Sequence, residues 1–131
     1  MLRATLLFGQ AIVVTLMVFG TVSASELGVS RVVVAAGVED REPTGAAETF
    51  SPEVDRVYCF SEVTGAGELA EIVHVWYHGD IERDRVSLSV QGDRWRTWSS
   101  KRIGAGQTGP WRVVVQGPDG ASLGEASFRI E

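Results

Sequence analysis

The chain has 131 residues, one cysteine and a formal net charge of −5, enough for one small hydrophobic core and too few cysteines for an intrachain disulfide. Overall acidity argues against general nucleic-acid binding, because neutralising a phosphate backbone takes a domain-wide basic footprint. The charge is lopsided, with −9 on residues 25–93 and +3 on residues 94–131.

Arg3 is the only charge before Glu26, residues 6–19 are a mostly apolar run, and Val22-Ser23-Ala24 supplies small residues for cleavage before Ser25. This pattern predicts a signal peptide over residues 1–24. Left uncleaved, the segment is nearly long enough to cross a bilayer core of roughly 30 Å and would act as an anchor. Both readings describe an exported protein, periplasmic or extracellular, that meets the membrane only through an uncleaved N-terminus. Cys59 is too far along the chain to carry the lipid of a mature lipoprotein.

Residues 25–53 read as a first strand over 31–38, which is β-branched, followed by a long charged loop, EDREPTGAAE. In residues 54–131 a strand over 54–63 ends at Thr64-Gly65-Ala66-Gly67, and a second over 72–78 stops at Gly79-Asp80. Residues 85–90 alternate Val86, Leu88 and Val90 with Arg85, Ser87 and Ser89, the period-two pattern of a half-buried strand. A further strand covers 95–99, and the glycines of 103–110 make a loop. Residues 111–116 and 121–130 flank Gly117-Pro118-Asp119-Gly120, which predicts a β-hairpin. Together these segments predict an all-β fold, an antiparallel, immunoglobulin-like β-sandwich of about seven strands, with 25–53 and 54–131 packed as one domain.

Three motifs, HVWYHGD at 74–80, WRTWSSK at 95–101 and GPWRVVVQGPDGASLGEASF at 109–128, resemble an uncharacterised bacterial family, the domain of unknown function DUF2914. The resemblance spans residues 57–128 and implies a compact β domain, often behind a membrane-targeting or other N-terminal region. It brings no catalytic residues with it. Cys59 and Trp76, on successive predicted strands, are similar to half of an immunoglobulin core whose second cysteine is missing here.

Several chemistries can be weighed from residue types. His74 and His78 flank Trp76 on one strand face, but four residues of strand separate them by about 13 Å, too far for one zinc with ligands about 2 Å away. No metal or other cofactor is expected. A hydrolytic site could be drawn from Ser61, His78 and Asp80, or from Cys59 with either histidine, yet no glycine-flanked turn poises a nucleophile. Cys59 between Tyr58 and Phe60 reads as a buried, inert thiol. Acids abound at Glu62, Glu68, Glu71, Asp80, Glu82 and Asp84 without a spacing that selects an acid and a base. The glycines punctuate turns rather than a strand-to-helix phosphate loop.

The stretch 94–111 stands apart, with Trp95, Trp98 and Trp111 among Arg94, Arg96, Lys101 and Arg102 and no acid. On an extended strand Trp95 and Trp98 point to opposite faces, and Arg94, Arg96 and Trp98 share one. An exposed indole beside guanidinium groups suits a protein partner of the envelope or an anionic or glycan polymer. The competing reading makes the tryptophans core or rim and pairs the arginines with the surplus acids. The expectation is a non-catalytic, exported binding module using Arg94, Arg96, Trp98, Lys101 and Arg102. The alternatives are a hydrolase or metal protein built on His74 and His78, and a structural spacer.

Overall fold

The computed structural model describes residues 26–131. The predicted signal segment, residues 1–24, lies outside the described residues. Seven strands follow in order: β1 Gly28–Glu39, β2 Glu42–Ala46, β3 Thr49–Phe50, β4 Arg56–His78, β5 Ile81–Arg102, β6 Gly109–Gln116 and β7 Ser122–Ile130. All pairings are antiparallel except the short parallel contact of β3 with β7. The all-β, seven-stranded, antiparallel expectation therefore holds.

Two strands are far longer than the sequence suggested. The segments expected at 54–63 and 72–78 are one strand, β4, and those at 85–90 and 95–99 are one strand, β5. Thr64-Gly65-Ala66-Gly67 does not end the strand. The register slips there, between Thr64 and Gly67 and again between Gly67 and Ala70, where Gly67 faces Gly92 of β5. Both glycines have positive φ, 67° and 79°, so the paired strands bend together as a bulged ribbon. Gly65 (φ 74°) has a second constraint, since a Cβ there would collide with the carbonyl oxygen of Glu26.

The bend lets one hairpin serve two layers. The first half of β4 lies between β1 and the second half of β5, and its second half lies between the first half of β5 and β6, which continues to β7 and β3. The layers close on each other where Val32 of β1 approaches Gly124 of β7: a Cβ built on that glycine would sit 3.1 Å from the valine methyl. This packing is consistent with the sandwich expectation, with strands turning the corner at bulges.

The predicted loop after β1 is also corrected. Asp40 and Arg41 both have positive φ (51° and 62°) between the partners Glu39 and Glu42, the backbone of a two-residue primed turn. The hairpin then curls back. Along an extended β1, Arg31 and Glu39 would stand about 26 Å apart, yet Arg31 Nη1 reaches Oε2 of Glu42, the partner of Glu39, at 3.2 Å. Phe60, on the face of β4 turned away from the core, is fully buried, with Arg31 over its ring at 5.0 Å.

The core divides into two apolar clusters. Trp76, Trp111, Phe128, Phe50, Val57, Cys59 and Val113 belong to one, and Val63, Ile72, Val90, Val115 and Leu27 to the other. Between them lies a polar layer. Ser61 separates Cys59 from Val63 on the inner face of β4, and His74 separates Ile72 from Trp76 on the same face.

Candidate functional site

In that polar layer Ser61 Oγ lies 2.8 Å from His74 Nε2, and Ser99 Oγ lies 2.6 Å from His74 Nδ1. Trp76 Nε1–H donates to Ser99 at 3.1 Å. Ser99 accepts from the indole, and the neutral ring of His74 donates to one of its two serine neighbours and accepts from the other. Burial pushes the His74 pKa down to about 4 and the Cys59 thiol up to about 12, the latter partly offset by a hydrogen bond from Ser61. Ser61 and His74 have the separation of a nucleophile and its base, but both are fully buried, and the third partner is a serine where a triad needs a carboxylate. Ser61 pairs with His74 rather than with His78 and Asp80, the combination drawn from the sequence. His78 stacks on Trp111 at 4.5 Å and donates to the Thr108 carbonyl at 2.7 Å.

The basic aromatic stretch is partly assembled as expected. Cα partners in an antiparallel ladder share a face, so Arg94, Arg96 and Trp98 line up with Thr64, Glu62 and Phe60 on the face away from the core. Trp98 is 37 % exposed. Trp95 is half-buried against the second apolar cluster and Trp111 is buried in the first. Lys101 departs from the expected face. Its partner is Val57, a core residue, so it stands on the inward face at the sheet's end and is half-buried, while Arg102 returns to the outer face.

The arginines are not electrostatically free. Arg96 Nη1 lies 2.9 Å from Glu42 and its Nε 3.4 Å from Glu62, while Arg94 Nε lies 3.7 Å from Glu62. Ser30 donates to Glu62 at 2.8 Å. That hydrogen bond first, with Arg94 and Arg96, holds the Glu62 carboxyl below its usual range against the opposing effect of burial. Arg102 faces Asp55 at 3.7 Å, both side chains being about 70 % exposed, a pair of the kind worth at most about 1 kcal/mol. Sequence reasoning missed Glu62 and Glu42 as the acids in this cluster, and missed Arg41, whose guanidinium lies 5.8 Å from the Trp95 ring centroid.

Two open grooves flank these elements. One of about 670 Å³ is lined by Trp111, Phe128, Asp80, Arg112 and Arg129. Its arginines are engaged, Arg112 over Tyr77 at 4.1 Å and Arg129 with Glu131 at 3.5 Å. The other, about 460 Å³, lies beside Trp95, Arg96 and Trp98. Among the described residues no group of three or more His, Cys, Asp or Glu side chains is placed to hold a metal ion.

Fold and surface together define a small all-β domain with a basic aromatic outer face. Residues 70–130 match the family model described as protein of unknown function, DUF2914, so the second half of β4 and all of β5, β6 and β7 form a DUF2914-like region. Arg94, Arg96, Trp98, Lys101 and Arg102 fall inside the match, whereas Glu42 and Glu62 lie before it. No curated protein matches the chain.

Proposed function

We propose that this protein is a non-catalytic binding module, exported to the periplasm or cell exterior, that recognises an anionic envelope component through the outer face of β5. The exposure of Trp98 beside a cluster of cations carries this reading. Arg31, Arg94 and Arg96 outnumber Glu42 and Glu62 within the cluster, so the face keeps a positive excess on an acidic protein. A partly exposed indole supplies contact area that aliphatic rim residues do not. The non-catalytic part is supported by the enclosure of Ser61 and His74, since a general base must reach the proton it abstracts from a bound substrate.

The test uses Arg94→Ala combined with Arg102→Ala, because both side chains are 69 % exposed and neither holds the core. The expected result is a melt close to wild type and loss of association with isolated cell envelopes. Wild-type association should weaken with added salt, as rim charges are screened over about 8 Å at physiological ionic strength. Normal association by a variant that melts earlier would instead assign these arginines to intramolecular pairing and leave a spacer domain.

A further inference from the structure

We infer that the elbow of β5 is a binding site for an acidic saccharide; this rests on the recognition reading above and names its ligand class. The groove beside Trp98 is lined by two runs of consecutive residues, one including Ser87 and Ser89 and the other Trp95, Thr97 and Trp98. Successive side chains on a strand point to opposite faces, so a groove touching consecutive residues must follow the strand's edge. That edge is open among the described residues, where β5 pairs with β4 alone. Alternate backbone N–H and C=O groups of β5 therefore point out of the sheet there. The bend at Gly92 (φ 79°) brings the two runs into one concavity of about 460 Å³, the size of a small-ligand cleft.

The chemistry of the lining selects the ligand. Arg41, held at the hairpin tip, closes the groove from the other side; it is exposed and, among the described residues, has no acid within 4.0 Å. Its planar fork suits a carboxylate held through two hydrogen bonds. Trp98 offers an exposed face for the C–H side of a sugar ring, and the hydroxyls of Ser87, Ser89 and Thr97 offer donors and acceptors to ring hydroxyls. An acidic peptide would use the same guanidinium, but the three hydroxyls set beside it in the lining, those of Ser87, Ser89 and Thr97, match the hydroxyl-rich edge of a sugar better than the side chains of an acidic peptide. A uronate-type saccharide matches all three kinds of group.

Calorimetric titration of the mature protein with tetragalacturonate tests this, with maltotetraose as the neutral sugar and tetraglutamate as the acidic peptide. Tetragalacturonate should bind at least about tenfold more tightly than either control. Arg41→Ala and Trp98→Ala should each weaken it by about tenfold with melts close to wild type, while Arg83→Ala, exposed and outside the groove, should bind like wild type. No binding of tetragalacturonate, wild-type affinity in both groove variants, or tighter binding of tetraglutamate would each overturn the inference. If envelope association is lost in the Arg94→Ala, Arg102→Ala variant while tetragalacturonate does not bind, the saccharide assignment falls and the recognition reading stands.

Discussion

Trp76→Ala is expected to cost about 3–5 kcal/mol of folding stability, the range for deleting a large buried aromatic. Trp76 is fully buried on β4, which has strand neighbours on both sides at this point, β5 and β6. Its ring meets the edge of Phe128 at 6.3 Å and an interplanar angle of 79°, and its N–H donates to Ser99. Truncation opens a cavity in the larger cluster and withdraws a donor from the polar layer. For a domain whose total stability is about 5–15 kcal/mol, that is a large fraction. Urea melts decide it, and a loss under about 1 kcal/mol would place the indole outside the core.

The second large effect is acid sensitivity centred on His74. Its pKa is about 4 in the folded protein against about 6.5 for an unperturbed histidine. Below pH 6.5 the unfolded chain takes up a proton that the folded chain refuses, so stability is fully present above pH 6.5, declines as pH falls, and levels off below pH 4. The full loss is about 3 kcal/mol. Glu62 acts in the same direction at lower pH, because its depressed pKa contributes stability that is lost as pH falls through its folded value. Denaturant melts from pH 7 to pH 4 should show the decline, and His74→Gln should flatten it between pH 6.5 and 4.5 while lowering stability at pH 7. A wild-type curve flat over that interval would mean that His74 is protonated in the fold.

The C-terminal hairpin and the opposed faces of Trp95 and Trp98 were legible in the sequence because both depend on short-range pattern. Asp119-Gly120 between apolar runs specifies a turn, and a three-residue spacing on a strand fixes opposite directions. Gly65 and Gly67 misled for a physical reason. Positive φ serves a turn and a bulge equally well, and only the partner strand, which places Gly92 opposite Gly67, distinguishes them. The turn at Asp40-Arg41 carries no glycine or asparagine to announce two positive φ values. The charge of β2 suggested a loop, although an edge strand tolerates charge.

The site was legible as a stretch but not as a constellation. That Arg94, Arg96 and Trp98 share a face follows from period two, whereas the acids that meet the arginines, Glu42 and Glu62, come from β2 and β4. No local pattern joins them. The same holds for Ser61, His74 and Ser99, which lie up to 38 positions apart in the chain and meet only because β4 and β5 fold into both layers. His74 could be recognised from sequence as a strand residue on the Trp76 face; its two serine partners could not.

Whether the Trp98 face serves recognition rather than stability is decided by one Trp98→Ala preparation in which melting and envelope association are measured together. A recognition face should give a melt within about 1 kcal/mol of wild type, as for a partly exposed side chain outside both apolar clusters, with association lost. A variant that loses several kcal/mol yet still associates as wild type does would contradict it, because Trp98 would then be a core residue and the outer face of β5 would have no binding role.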